Sequence, residues 1–597
     1  MDIRNLLHRP TESEKQAVDA VLGAPESGWH GGSFTSSDGH VAYGGRSARE
    51  RRHLLLPALH AVQDAVGAVS RGALGYISER LTVPPAEAYG VATFYALFDT
   101  DGAGATTIHV CDDIICAQYG AESLCESLDE ALGSNGVRWE RSPCLGQCDR
   151  APAAMLHKPG EGYANAAPVD PESVRQITFD DLDPGVVHQD RSQLQILRRI
   201  GTDPSSLDAY RESGGYETLQ TALELGPTGV IDELEKSGLR GRGGAAFPIG
   251  IKWKGVAEAP GPDKYVIANG DESEPGTFKD RLLMEGDPFA LVEAMTIFGY
   301  ATGATQGYIY VRGEYPTAER RLNTAIGQAK QAGLLGDNAA GAGFDFELEV
   351  RRGAGAYICG EETALFASIE GHRGEPRQKP PFPTQHGLFG KPTGINNIET
   401  LLAALQVVRD GGEAFSGIGT EQSTGPKLFC VSGAVDRPGV YEVPFGTTLG
   451  ELMDLAEARD VGAVLLGGAA GSFVDADLLS LPLTFEHTRE AGTTLGSGAV
   501  IVFDRETDFG PVLRRIAQFF RDESCGQCVP CRIGTVRQQE SLARLAAGDP
   551  LGSIEDERQR LDDLARVMTD ASICGLGQTA ASAVQSAIRL GLPGAPL

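Results

Sequence analysis

Ser524-Cys525-Gly526-Gln527-Cys528-Val529-Pro530-Cys531-Arg532-Ile533-Gly534, answered further on by Cys574, governs how the rest of this chain is read. Three thiols two residues apart can hold three corners of a cubane and a distant fourth closes the cage, so the pattern points to a [4Fe–4S] site. Such a site handles electrons singly. A second set lies upstream, where Cys111 and Cys116 have four residues between them and Cys144 and Cys148 have three. Two pairs delivered from two loops suit a four-thiolate [2Fe–2S] cluster or a structural zinc. Cys125, Cys359 and Cys430 read as small buried hydrophobes rather than ligands.

A chain of 597 residues is too long for one core, and about four domains are expected. Its 52 basic and 81 acidic residues give a net charge of -29, which argues against nucleic acid or an anionic membrane surface as a general partner. No apolar run reaches the roughly 20 residues that span a bilayer, and Met1-Asp2-Ile3-Arg4-Asn5 opens no leader, so a cytoplasmic protein without membrane insertion is expected. In that compartment thiols clustered at ligand spacings are better explained by metal than by disulfides.

Along the chain, residues 1–100 carry apolar positions at helical spacing (Leu55, Leu59, Val62, then Leu74, Ile77, Leu81), interrupted by a polar glycine-rich stretch, Gly31 to His40, that predicts a flexible loop. In 101–185 a strand, Thr106 to Val110, runs into Cys111, and a helical stretch from Gly120 precedes the second pair, which suggests a small α/β unit. Residues 186–225 read as a connector. From 226 to 425, strand patterns at Lys264–Ala268 and Gly307–Val311 alternate with helical ones, the rhythm of a mixed or parallel sheet. Residues 426–510 predict a compact β-rich module, and 511–597 a helical unit around the cubane cysteines.

Gly238-Leu239-Arg240-Gly241-Arg242-Gly243-Gly244-Ala245-Ala246-Phe247-Pro248 combines backbone freedom with cations, as a phosphate-cradling loop requires. It lacks the usual dinucleotide fingerprint, because no strand leads into it. An ordinary glycine-rich turn is the competing reading. Two further clusters, Asn269-Gly270-Asp271-Glu272-Ser273-Glu274 and Tyr357-Ile358-Cys359-Gly360-Glu361-Glu362-Thr363, follow strand patterns and should project where α/β sheets bind ligands.

These motifs, with Gln378-Lys379-Pro380-Pro381-Phe382-Pro383, Asn396-Asn397-Ile398-Glu399-Thr400 and both cysteine sets in order, closely resemble a fusion of the 24 kDa and 51 kDa flavoprotein subunits of respiratory NADH dehydrogenase. The same module serves soluble NAD-linked formate dehydrogenases and NAD-reducing hydrogenases. The resemblance covers nearly the whole chain and implies a multidomain α/β protein: an N-terminal helical unit with a thioredoxin-like [2Fe–2S] domain, a Rossmann-like FMN/NAD domain, a β-grasp-like module and a helical [4Fe–4S] domain. By resemblance, Gly241, Arg242, Gly243 and Lys252 hold the FMN phosphate and its surroundings, while Asn269, Asp271, Gly360, Glu361, Asn396, Asn397 and Thr400 contact the ribityl chain and ring. Phe247, Glu274, Tyr357, Glu362, Lys379 and Phe382 line the NAD(H) pocket. Glu272, Glu362 and Tyr357 are orienting or electrostatic groups, and no general acid or base is assigned because hydride chemistry belongs to the cofactors. Cys111, Cys116, Cys144 and Cys148 hold the [2Fe–2S] cluster; Cys525, Cys528, Cys531 and Cys574 hold the [4Fe–4S] cluster.

Departures from the family pattern are Gly255 or Val256, where an aromatic is usual, and Ala246 and Ile249 in place of a glycine and a threonine; altered nucleotide affinity is expected. No ligand set for molybdenum, nickel or quinone is evident, so a hetero-oligomer is expected, with a catalytic partner carrying further clusters. A molybdenum or tungsten formate dehydrogenase alpha subunit is favoured, because fused hydrogenase subunits often lack an intact first cysteine set. An NAD-reducing hydrogenase or a fused respiratory input subunit are the alternatives. An electron-bifurcating hydrogenase is disfavoured, since the chain closes on Gly591-Leu592-Pro593-Gly594-Ala595-Pro596-Leu597 without further cysteines. A reading of another class, a zinc-bearing assembly scaffold, predicts a colourless protein.

Overall fold

The structure is a computed structural model that describes residues 8–25, 27–28, 32, 51–102, 105–132, 137–179 and 182–595. The stretch read as a flexible loop, Gly31 to His40, lies outside the described residues apart from Gly32, as do Met1 to Asn5 and the final two residues.

In the N-terminal unit the helices Leu55–Val66 and Arg71–Leu81 follow Glu12–Leu22, and they bury Leu55, Leu59, Val62, Ile77 and Leu81. The next unit has a four-stranded sheet in the order β2-β1-β3-β4, from β1 (Thr106–Cys111), β2 (Val137–Ser142), β3 (Ala154–Lys158) and β4 (Gly162–Ala166). The pair β1/β2 is parallel and the others antiparallel. Ile108 and Val110 of β1 meet Leu124, Cys125 and Leu128 of the helix Ala121–Leu132 in a small core of their own.

The central unit is built on β5 (Tyr265–Gly270), β6 (Gln306–Val311), β7 (Glu347–Arg352) and β8 (Thr393–Asn397), all parallel, in the order β7-β6-β5-β8. The chain winds outward from β5 through β6 and β7, then returns to the other side as β8. That reversal opens a crevice beyond the carboxyl ends of β5 and β8, where open α/β sheets bind their ligands. Asn269 lies near the end of β5, the Tyr357 to Thr363 run follows β7 and Asn397 ends β8, so both polar clusters and Asn397 arrive at the same cavity.

Beyond it, β9 (Pro426–Gly433), β10 (Gly439–Pro444), β11 (Val461–Leu466), β12 (Ser472–Asp475) and β13 (Ala499–Asp504) form a mixed sheet in the order β10-β9-β13-β11-β12. Its core is separate from the main one and includes Phe429, Tyr441, Leu452 and Val502. The helices Phe509–Asp522, Val529–Ala547, Ile554–Ala571 and Ser582–Leu590 complete the chain. The last leans on the β module, where Phe473 N–H donates to Ser586 Oγ at 2.9 Å. No described helix is long and apolar enough to cross a membrane.

Candidate cofactor cavity and cysteine sites

The crevice is a cavity of about 460 Å³, a size that suits a cofactor. Its floor comes from Gly243 and Gly244 of the glycine-rich loop, from Asn269, Asp271, Glu272 and Glu274 after β5, and from Asn397. Tyr357, Gly360 and Glu361 form one side. Gly244 has φ +114°, which a side chain adopts poorly, so the loop runs tightly under the cavity.

Of the residues assigned to FMN, Gly243, Asn269, Asp271, Gly360, Glu361 and Asn397 line this space, while Gly241, Arg242, Lys252, Asn396 and Thr400 stand behind it. The Arg242 guanidinium is buried away from the cavity: Nη2 donates to Thr424 O at 2.7 Å and the group lies 4.6 Å from the Phe445 ring centroid. The turn of the loop sends it there, and only its backbone N–H, donated to Thr400 Oγ1 at 2.8 Å, supports the loop. Lys252 Nζ donates to Ile395 O at 2.9 Å. Asn396, with its amide oriented by its partners, accepts from Trp253 Nε1. These groups shape the floor from below.

Of the nucleotide set, Glu274 and Tyr357 share the cavity wall. Tyr357 Oη donates to Glu274 Oε2 at 2.5 Å, and Ala470 N–H donates to Glu274 Oε1 at 2.7 Å. Burial foremost pushes the Glu274 carboxyl up to about 7. Phe247 and Phe382 present their rings to solvent, 48% and 54% exposed. Lys379 Nζ bridges Glu361 at 2.9 Å and Glu362 at 2.6 Å, so Glu362 sits at the mouth rather than on the cavity lining. Glu272, assigned an orienting role, is fully engaged in the protein: it accepts the N–H groups of Asp280 and Arg281 at 3.0 and 2.9 Å and the Tyr315 hydroxyl at 3.1 Å. It thereby caps the helix Lys279–Gly286.

Sequence reasoning missed the roof. Gly467, Ala470, Thr494, Gly496 and Ser497 reach in from the β module, and Gly575, Leu576 and Thr579 from the helical unit. Their only local signal was glycine density at Gly467-Gly468 and Gly496.

The two cysteine sets are each brought together. Cys111, Cys116, Cys144 and Cys148 are 2–4% exposed, with Cys144 Sγ and Cys148 Sγ 3.4 Å apart. Hydrogen bonds from Cys111 and Cys148 push the Cys144 thiol down, and those two thiols are pushed up in turn. Side chains of the central unit grip their loop: Arg312 Nη2 donates to Cys144 O at 2.6 Å, and Arg281 Nε to Gly146 O at 2.9 Å. Cys525, Cys528, Cys531 and Cys574 ring a separate cavity with Ile358 and Pro376. Cys528 and Cys574 stand at the N-caps of Val529–Ala547 and Gly575–Thr579, where backbone N–H groups favour an anionic cluster. Among the described residues, no three His, Cys, Asp or Glu side chains converge as a single-ion site would require. Thiols that ring a space suit a multi-iron cluster better than zinc.

A family model described as the Nuo51 FMN-binding domain matches residues 234–406, one for thioredoxin-like [2Fe-2S] ferredoxins matches 44–178, and the NADH-ubiquinone oxidoreductase-F iron-sulfur binding region matches 511–590. An SLBB domain model matches 428–456. The NAD-reducing hydrogenase HoxS subunit alpha of Cupriavidus necator is 35% identical over 89% of this chain and 89% of its own length. The chain belongs to the fused 24 kDa/51 kDa-type NADH dehydrogenase flavoprotein family.

The NADP-reducing hydrogenase subunit HndC of Solidesulfovibrio fructosivorans, 44% identical over 65% of this chain and 80% of its own length, matches as well. A crystal structure of an NAD+-reducing [NiFe]-hydrogenase in the H2-reduced state superposes with a TM-score of 0.79 at 33% identity, covering 92% of this chain and 93% of that one. This member of the flavoprotein family is thus an FMN- and iron–sulfur-dependent NAD(H) oxidoreductase subunit. Its departures have structural consequences. Ala246 holds φ +52°, a left-handed conformation that costs an alanine about 1 kcal/mol more than the usual glycine. An added Cβ on Gly255 would lie 3.8 Å from Thr384 Cβ, in ordinary contact with the segment that follows Phe382, and with glycine there the aromatic wall is missing. Ile249 is fully buried at the start of its helix, where its N–H donates to Leu239 O.

Proposed function

We propose that this chain carries electrons between NAD(H) and the clusters of a catalytic partner inside a cytoplasmic hetero-oligomer, and that the partner is a molybdenum- or tungsten-dependent formate dehydrogenase alpha subunit. The observation that carries the first part is one cavity lined by six residues of the FMN set and by Glu274 and Tyr357 of the NAD(H) set, beside a ring of four cysteines that shares Ile358 and Leu576 with it. FMN, when bound, supplies the exchange between the two-electron chemistry of nicotinamide and the one-electron chemistry of iron–sulfur clusters.

The fit is chemical as well as spatial. Asp271 lines the cavity with its Oδ2 buried and without a hydrogen-bond partner, and burial foremost pushes its carboxyl well up. Asn269 is held in place by its bond to Gly360 O at 2.9 Å. Phe247 and Phe382 offer exposed faces on which a nucleotide base can stack. The Lys379 bridge positions Glu361 and Glu362 at the entrance, where their charge orients a dinucleotide. Tyr357 and Glu274 close the inner wall against water.

The intact and buried first cysteine set supports the formate reading, since fused hydrogenase subunits often lack it. A second reading, the diaphorase subunit of an NAD-reducing hydrogenase, is supported by the match along 89% of both chains. Anaerobic purification of the native complex with analysis for molybdenum, tungsten and nickel tests the choice. Molybdenum or tungsten with formate-driven NAD+ reduction supports the proposal, whereas nickel with hydrogen-driven reduction replaces it. A colourless chain without flavin or iron overturns both.

A further inference from the structure

The roof of the cavity holds a polar group that none of the assigned FMN contacts includes. Ser497 Oγ is buried, lines the cavity and has no hydrogen-bond partner. A hydroxyl left so gives up its hydration without return, so a native site that keeps one is expected to satisfy it with something bound. We infer that Ser497, delivered by the β module, is a ligand of the FMN phosphate; the inference rests on the flavin reading above.

Position selects the phosphate over the ring. An added Cβ on Gly244 would stand 3.7 Å from Gly496 C and 3.9 Å from Ser497 N, which places Ser497 over the glycine-rich loop. Gly243 in turn abuts Asn397, whose Cβ would be 3.0 Å from an added Cβ. Asn397 is the N-cap of the thirteen-residue helix Ile398–Asp410 and makes no side-chain cap bond there; the cap is supplied instead by Asp280, whose Oδ1 accepts the Glu399 N–H at 3.2 Å and whose Oδ2 accepts from Asn397 Nδ2 at 2.6 Å. The other orphan, Asp271 Oδ2, lies 3.5 Å from an added Cβ on Gly360, among the residues assigned to the ring. The two unsatisfied groups thus have different neighbours, Ser497 beside Gly244 of the glycine-rich loop and Asp271 beside Gly360.

The charges nearby explain why one hydroxyl counts. Lys279 and Lys427 are fully buried behind this end, but they are balanced by Asp280 and Glu399: Lys279 Nζ lies 2.8 Å from Asp280 and 3.1 Å from Glu399, and Lys427 Nζ 2.9 Å from Glu399. With ion pairs already closed, recognition of the anion falls to neutral donors. Lys427 Nζ also donates to Ser497 O at 3.1 Å, fixing the loop that presents the hydroxyl.

The test uses the FMN-loaded chain and follows flavin release by fluorescence on dilution, with riboflavin, which lacks the phosphate, as the companion ligand. Ser497→Ala should weaken FMN retention about tenfold, Ser497→Thr should stay near wild type, and riboflavin affinity should be equal in all three, with the flavin-free Ser497→Ala chain melting no lower than wild type. FMN retention in Ser497→Ala equal to wild type overturns the inference, as does an equal loss for riboflavin. Wild-type protein that retains no FMN at all overturns the flavin reading itself, and this inference falls with it.

Discussion

The two cysteine sites were announced by similar spacing, yet the molecule treats them in opposite ways. The first, around Cys144, is sealed by neighbouring units: Arg281 and Arg312 are at most 2% exposed and thread from the central sheet into its loop. Behind them stand Glu285, Asp149 and Glu314 as counter-charges, at 3.2, 2.8 and 3.0 Å. The second site leaves Cys525, Cys528 and Cys574 half-buried, and the groove beside Cys525, about 350 Å³, opens between Phe94, Pro143 and Arg373. One site is built into the interior, and the other is left accessible to a partner. Residue spacing sets what a site can bind, but packing sets who can reach it.

The comparison breaks most sharply by removing ligands. Cys528→Ser should erase the [4Fe–4S] signal in low-temperature EPR and lower electron delivery to the partner by about two orders of magnitude or more, whereas Cys148→Ser should erase only the [2Fe–2S] signal and leave delivery within about threefold. Equal loss from both would end the distinction between the sites.

The next test addresses packing. Arg312→Met strands Glu314 as a buried charge and should cost about 3–5 kcal/mol of stability in thermal unfolding. Arg373→Ala, beside the open site with its side chain 47% exposed, should change stability by about 0.5 kcal/mol or less.

A pH series sharpens the contrast on the buried side. Because the Glu274 carboxyl is raised from 4.5 to about 7, the native state keeps a proton that the unfolded chain has released. Its contribution is therefore fully present below pH 4.5, declines as pH rises from 4.5 to 7 and is flat above, a span of about 3 kcal/mol. Glu274→Gln should flatten the wild-type slope of melting temperature over that window; an unchanged slope would refute the assignment.

Two small effects lie outside both cysteine sites and serve as controls. Ala246→Gly should raise stability by about 1 kcal/mol by relieving the left-handed alanine, without altering either EPR signal. Gly255→Phe should lower KM for NADH by about threefold through an added aromatic wall, with kcat unchanged.

Much of the fold was legible because its signals are local. Alternating strand and helix patterns between Lys264 and Val311 announced a mixed or parallel sheet, which the structure makes parallel, and the periodic leucines from Leu55 to Leu81 announced the N-terminal helices. The polar runs after β5 and β7 could be read as candidate site segments because a strand end leaves side chains where ligands bind. What could not be read was direction. Arg242 looked like a phosphate-binding cation, but its guanidinium turns toward Thr424 and Phe445 of a segment far along the chain. Glu272 was read as an orienting or electrostatic group of the site, yet its oxygens go to a helix N-terminus and to Tyr315.

By itself the sequence determined the chemical inventory: eight thiols at cluster spacing, a glycine-rich loop, carboxylates and amides at strand ends, and no apolar run able to cross a bilayer. These are properties of residue type and short separation, which are set before the chain folds. Only the tertiary structure decided that the cavity has a roof borrowed from the β module and the helical unit, that one cysteine site is sealed and the other open, and which polar atoms are left without partners. Those outcomes depend on contacts between residues more than a hundred positions apart, such as Arg312 with Cys144 and Gly244 against Gly496, where the energy lies in close packing and hydrogen-bond satisfaction that no local pattern encodes.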